Sequence, residues 1–387
     1  MQNRIPVALL AAALFIVTFA VNLQTPMYGV YASESGVGTT AVTIAFAAYV
    51  AGLMPTLLLL GGLSDRIGRR IPIVIALITA ASATALLVVV PTWLSLVVAR
   101  LLLGIGTALA TTAGMAYMAE LMGASSARQT TLIVTSVTSL GFGGGALATS
   151  MSLALQGLTL APASFIFVLA TAPVLALVIL MLPHADTAKR VSLFRLPVFP
   201  NGTWVFGIAM ALAWSTTGMT IGVVPLELKS LGFSGWTGLV IFLAIFVGFL
   251  CQPIARRMSN SKALALGFVL IPLGFLILLT GVWTSSIALV LLGTCTTSAA
   301  SYGFTYLAAL SEMSLKAPDN RARATAGLLV FAYAGFSIPV IASGALADLF
   351  GLLPAMAIFS ITQIAVTALV VVLWTKQIPV PEAKLVG

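Results

Sequence analysis

The chain has 387 residues, of which 60% are hydrophobic and only 7% charged, with a mean hydropathy of +1.15. A soluble domain carries about 25% charged residues, so this composition excludes a water-soluble globule. The net charge of +9 must therefore be read against a membrane before a nucleic acid.

Apolar stretches recur along the chain, each close to the roughly 20 residues that a helix needs to cross a hydrocarbon core. Twelve are predicted: 7–31, 39–61, 72–91, 93–119, 129–153, 162–182, 202–225, 236–254, 263–282, 285–310, 324–347 and 352–375. In lipid, backbone amides must be satisfied within their own segment, so these spans are helices and the fold class is all-α. Span 1 follows Arg4 and is read as a retained helix, not a cleaved signal, because the charge asymmetry of the loops works only if it is kept.

Between spans 2 and 3 runs Gly62-Leu63-Ser64-Asp65-Arg66-Ile67-Gly68-Arg69-Arg70. Gly62 and Gly68 permit a tight turn and close helix approach. Asp65 suits an acceptor for a helix amino terminus, where the dipole favours an anion. Arg66, Arg69 and Arg70 can pair with Glu120, reach lipid phosphates, or serve topology alone. This loop resembles the signature loop between helices 2 and 3 of the major facilitator superfamily of transporters, whose stretch Leu-x-Asp-Arg-x-Gly-Arg-Arg/Lys is matched by Leu63 to Arg70. The resemblance implies two pseudo-symmetric six-helix bundles working by alternating access. It also implies that Asp65 latches the halves together when the carrier faces outward, with the start of span 11 near Arg323 and Ala324 as its docking point.

Span 4 holds Arg100, the only charged residue well inside any predicted span. An arginine at mid-helix costs about 2.5–3.5 kcal/mol on insertion scales, so it faces protein or water, or else snorkels to the nearby outer surface. With Gly104 and Gly106 it resembles the family's helix 4 motif, Arg-x-x-x-Gly-x-Gly, which the resemblance links to proton transfer. Span 5 carries Gly141-Phe142-Gly143-Gly144-Gly145-Ala146-Leu147-Ala148-Thr149-Ser150. This is half of the family's antiporter pattern: Ala146 stands at its proline and Thr149-Ser150 at its final glycine pair. Small-residue helix packing is the plainer reading of the glycines.

Residues 183–201, with the single histidine His184, form the longest polar break and are read as a cytoplasmic connector between 1–182 and 202–387. The two parts echo each other. Glu120 and Glu312, Arg128 and Arg321, Gly141 and Gly335, and Arg66 and Arg257 are separated by 192, 193, 194 and 191 residues. A near-constant offset of half the chain implies two six-helix halves related by an axis along the membrane normal. The echo is imperfect: Leu292 is the counterpart of Arg100, Arg256 of Asp65 and Ser259 of Gly68.

Sixteen of the 18 basic residues fall on the amino-terminal side of the predicted membrane, Lys229 and Arg100 being the exceptions. This bias predicts cytoplasmic termini in an inner-membrane protein that contacts anionic lipid and binds no nucleic acid. The nine acids all fall in loops or at span ends, so a carboxylate at the bilayer midplane is absent and the interior is neutral to positive. Cys251 and Cys295 form no redox or metal pattern. No metal, cofactor or nucleotide-binding loop is expected, nor an enzymatic constellation.

The resemblance further implies that spans 1, 4, 7 and 10 border a central cavity. Candidate substrate contacts there are Asn22, Gln24, Tyr28, Thr111, Thr112, Trp214, Tyr302 and Tyr306, although Tyr28 and Tyr31 also suit an interfacial belt. The functional expectation is a monomeric secondary transporter that exports small amphipathic or drug-like molecules, coupled to protons. The alternatives are uptake or facilitated passage of a small neutral or anionic metabolite and, more remotely, a membrane receptor or scaffold that no longer transports.

Overall fold

A computed structural model describes residues 4–123, 126–183, 193–194 and 196–377. His184 and the charged residues of the predicted connector lie outside them. Among the described residues the chain is helical and has no strand. Twelve helices are long and apolar enough to cross a membrane: α1 Arg4–Ser35, α2 Thr39–Leu60, α3 Arg70–Val89, α4 Trp93–Met122, α5 Ala127–Gln156, α6 Ala163–Met181, α7 Trp204–Ser230, α8 Ser234–Ala255, α9 Asn260–Trp283, α10 Ile287–Leu315, α11 Pro318–Phe350 and α12 Leu352–Lys376. The chain is thus a multi-pass membrane protein. Both described ends share one face, here the terminal face, with the loops after α2, α4, α8 and α10. The loops after α1, α3, α5, α7, α9 and α11 share the far face.

Helices α1 and α7 outrun their predicted limits because each continues through a break. In α1 the regular helix stops at Asn22 and resumes at Tyr28, with Pro26 in the intervening turn. In α7 it stops at Gly222 and resumes at Val224, ahead of Pro225. A proline removes one donor and crowds the carbonyl four residues earlier, which places both breaks where they are found. α10 is interrupted differently, by a π-helical turn at Ala299–Thr305.

Within the first six helices, α1 packs on α5 and α2 on α4, and glycines set the spacing. A Cβ at Gly52 would land on the Leu101 carbonyl, and one at Gly104 on the Tyr49 carbonyl. Within the last six, Gly218 meets the Phe336 carbonyl and Gly335 meets Ala211, so α7 and α11 repeat the α1–α5 contact. Helices α3, α6, α9 and α12 sit outside these pairs and expose apolar side chains such as Ile78, Leu177, Val269 and Ile361. An apolar helix surface turned outward in this way is what a lipid-facing helix requires.

Two helix pairs join the sets. α2 meets α11, with Phe46 and Phe336 at 4.9 Å between ring centroids. α5 meets α8, where the Gly238 amide donates to Ser150 Oγ at 2.9 Å. Thr149 bonds Ser164 of α6 at 2.8 Å, so the pair that replaces the antiporter glycines ties α5 to its neighbours.

A central cavity and two surface clusters

The cavity lies between the two sets of six helices, with a volume of about 430 Å³. Toward the far face it ends on a packed layer. Phe46, Met219 and Val340 there are fully buried, and a Cβ on Gly222 would already touch Phe46 and Val340. Beyond this layer, Lys229 Nζ at the end of α7 donates to the Gly29 carbonyl of α1 at 3.1 Å. The Asp348 carboxylate, in the last turn of α11, accepts the Thr39 and Thr40 amides of α2 at 2.7 and 2.9 Å. In the opposite direction the lining reaches Leu57, one turn from the end of α2. The cavity is therefore closed at the far face and extends toward the terminal face.

Its walls are aromatic and hydroxyl-bearing. Trp214 stands at 5.0 Å from Tyr333 and 6.5 Å from Tyr306, while Tyr302 stacks on Tyr306 at 5.5 Å. The π-helical turn presents these two tyrosines. The Tyr306 amide bonds the Ser301 carbonyl, five residues back, and the turn seats against α8 through Gly248, whose amide donates to Ser298 Oγ at 2.8 Å. Such turns recur at functional sites because they widen the local helix and re-aim its side chains. Thr111 and Thr112 line the cavity while donating to the Thr107 and Ala108 carbonyls at 2.7 and 2.8 Å. Asn22, at the α1 break, bridges to the Phe142 carbonyl at 2.8 Å.

Six of the eight predicted contacts thus line the cavity, and two do not. Gln24 turns back to the Val21 carbonyl at 2.9 Å, and Tyr28 is buried away from the cavity, as is Tyr31. Neither tyrosine forms an exposed interfacial belt. The cause is the α1 break, which ends the helical period on which their placement depended. Tyr49 and Tyr333 line the cavity from α2 and α11, helices not expected to border it. A hydroxyl in mid-span was their available signal, since a polar group at that depth must face protein or a cavity.

Arg100 does not snorkel. It is 1% exposed and donates to the carbonyls of Val21 at 2.7 Å and Phe46 at 3.1 Å. Its guanidinium lies over the rings of Phe46 and Tyr49, at 5.0 and 4.8 Å. Its counterpart Leu292 is exposed on the outer surface, so the helix packing itself does not demand a charge there.

The signature loop lies at the terminal face and contributes no residue to this lining. Arg69 is its hub, pairing with Asp65 at 2.5 Å and Glu120 at 2.8 Å and donating to Ser64 Oγ at 2.8 Å. Burial works to lower the Arg69 pKa, but the hydrogen bonds and charges of Glu120 and Asp65 outweigh it and raise the value. Arg70 donates to the Leu180 carbonyl at 2.7 Å, and Arg66 is exposed. The anticipated docking point for Asp65 is occupied by residues 196–198: the Val198 amide donates to the Arg323 carbonyl, and Arg323 Nε to the Leu196 carbonyl. The second half has an uncharged donor at the place of Arg69, with Asn260 Nδ2 donating to Glu312 at 2.8 Å.

Gly62 has an ordinary φ of −96° and contributes its amide to the Leu193 carbonyl. Gly68, at φ 88° and ψ 160°, occupies a region open essentially to glycine alone, where another residue costs about 1–3 kcal/mol. Gly68→Ala is therefore expected to lower thermal stability and distort the Arg69 cluster. Ser259, the counterpart at φ −68°, should accept alanine with loss only of a helix cap. Thermal unfolding of the two purified variants measures the contrast.

A family model of the Major Facilitator Superfamily matches residues 10–328. No curated protein matches the sequence. Among solved structures the chain is similar to a bacterial homolog of the human lysosomal transporter Spinster in an inward-facing, unoccupied conformation. The TM-score is 0.73 at 13% identity, covering 97% of each chain. It is also similar to a mutant of the nucleoside transporter NupG, with a TM-score of 0.74 at 15% identity, covering 94% of this chain and 99% of that one. At such identities the likeness is one of fold.

Proposed function

The chain belongs to the Major Facilitator Superfamily of transporters, and from that premise we propose that it carries small neutral or anionic amphipathic molecules by alternating access. The central observation is the cavity lining, which joins an aromatic wall to one arginine and, among the described residues, includes no aspartate or glutamate. A volume of about 430 Å³ suits a metabolite or a small drug-like compound, since ligand pockets span roughly 300–1,000 Å³. Cationic substrates are disfavoured, because nothing in the lining neutralises them and Arg100 repels them.

The orientation follows from charge. All described lysines and arginines except Lys229 and Arg100 sit at or beside the terminal face, which by the positive-inside bias is the cytoplasmic one. On this reading the protein resides in the cytoplasmic membrane, and the described state is closed outside and opens inward. The bundles 1–182 and 202–387, joined by 183–201, rock about the cavity.

The aromatic and apolar walls support a second reading, proton-coupled export of drug-like compounds. Purified protein in liposomes with a trapped pH dye separates the two. Flux of neutral or anionic solutes without cation-evoked proton movement supports the proposal. A proton leak triggered by cationic drugs would overturn it in favour of antiport. Trp214→Ala is expected to weaken substrate affinity about tenfold to a hundredfold, roughly the 1–3 kcal/mol carried by a buried aromatic wall. A rise in KM with little change in expression or thermal stability is the corresponding readout.

A further inference from the structure

Arg100 presents a charge that has no counter-ion among the described residues. A guanidinium offers five N–H donors. Two are engaged by the carbonyls of Val21 and Phe46, and Nε is buried with no partner. The carbonyls and the flanking rings of Phe46 and Tyr49 supply partial charge only. Arg69 holds two ion pairs at the terminal face, and among the described residues the cavity lining contains no acid. A full positive charge taken out of water normally acquires an anionic partner. Here the side chain lies about two turns into α4 from Trp93, at the closed end of the cavity.

We propose that the substrate supplies that partner: a single anionic group, a carboxylate or a comparable oxyanion, seats on Arg100. Its apolar or aromatic body then lies against Trp214 and Tyr306, nearer the open side. This deepens the reading of the cavity as the transport site and rests on it. The arrangement explains why a charge is kept on α4 while its counterpart on α10 is a leucine turned outward. It would also make the cavity selective by sign, since a neutral analogue forfeits the ion pair and a cation meets uncompensated repulsion.

The test uses probe triplets of one shape and three charges: 2-naphthoate, 2-naphthamide and 2-naphthylmethylammonium, with the matching phenyl and indole series. Binding to the full-length purified protein is read by thermal shift and by tryptophan fluorescence in neutral detergent. At least one carboxylate is expected to bind about tenfold or more tighter than its amide, as an ion pair replaces a bond to a neutral carbonyl. Arg100→Gln should erase that preference, bringing the carboxylate's affinity down to about that of its amide. Arg100→Lys, which keeps the charge without the fork, should retain the preference at reduced affinity, and it carries the test if Arg100→Gln does not fold.

Equal binding of carboxylate and amide, with both lost in Trp214→Ala, would overturn the anionic subsite and leave the transport site standing. A charge preference that survives in Arg100→Gln, or unchanged carboxylate affinity in Arg100→Lys, would also overturn it. Failure of every triplet to bind at millimolar concentration would overturn the subsite and the reading of the cavity together. A carboxylate shift that disappears when nanodiscs contain phosphatidylglycerol, but not when they contain phosphatidylcholine, would keep the anion chemistry and assign its source to a lipid headgroup.

Discussion

Gly145→Ala should cost the protein far more than Gly144→Ala, although the two residues are adjacent and the added methyl is the same. A Cβ on Gly145 would land on the Phe19 carbonyl and within 3.3 Å of the Leu23 amide, both part of the α1 backbone. A Cβ on Gly144 would meet only the edge of the Phe19 ring, at 3.6 and 3.7 Å, which is ordinary contact. Overpacking typically costs about 1–3 kcal/mol, and a clash with backbone belongs at the upper end because no side chain can rotate away. Gly145→Leu should leave no assembled transporter, while Gly144→Ala should remain within about 0.5 kcal/mol of the parent, as a neutral site does. Gly52 and Gly104 give an independent check across α2 and α4. Once Gly104→Ala has forced those helices apart, Gly52→Ala should add less than it costs alone. Size-exclusion profiles and thermal unfolding in detergent measure all of these. Equal stability of the Gly144 and Gly145 alanine variants would show that glycine spacing does not hold α5 on α1.

The same contrast shows what a linear reading reaches. The Gly141–Gly145 run identifies close packing, but Gly141 and Gly145 press on α1, Gly143 presses on Phe242 of α8, and Gly144 has room. Nothing local distinguishes them, because the partner helix decides. Arg100 was legible as a charge set within a span, because its cost is intrinsic to its depth, although burial and snorkelling stayed open there. Its acceptors were not, since main-chain carbonyls leave no trace in the side-chain pattern. The twelve spans and the signature loop were visible because hydropathy and charge are local properties. The breaks in α1 and α7 were foreshadowed by Pro26 and Pro225, yet the helices resume beyond them, and that continuation moved Gln24 and Tyr28 off the cavity. The π-helical turn of α10 carries no comparable mark. Its register follows from the tight seat of Gly303 on Cys251, a tertiary effect.

The most distant of these unmarked contacts predicts the largest change in conformational balance. Asp348→Ala should shift the carrier toward the state open at the far face. The first amides of a helix have no partner within it, and a side chain at the N-cap usually supplies one. In α2 the N-cap is Gly38, which has no side chain to offer. The cap comes instead from Asp348, 309 residues away in the other six-helix set. Gly38 also makes the space, because a Cβ there would lie 2.9 Å from both Asp348 carboxylate oxygens. Losing a cap of this kind costs about 0.5–2 kcal/mol, and here the whole cost falls on the state closed at the far face, since opening separates α2 from α11. The equilibrium should therefore move roughly 2- to 30-fold. The docking expected for Asp65 is the same device inverted, an acid near the end of α2 meeting the start of α11. One helix pair would then be latched at opposite ends in the two states. Spin labels at the exposed far-face positions Leu158 and Trp283, one in each set, report the separation. Asp348→Ala should enlarge the long-distance population, and Asp348→Asn should do so less. Gly38→Ala should act in the same direction through its clash with the carboxylate, but add nothing once Asp348 is alanine. Distance distributions that stay unchanged in Asp348→Ala would mean that the α2 cap is incidental to closure, and the far face would have to be held by its other contacts, among them Phe46 on Phe336, Lys229 on Gly29 and Gly238 on Ser150.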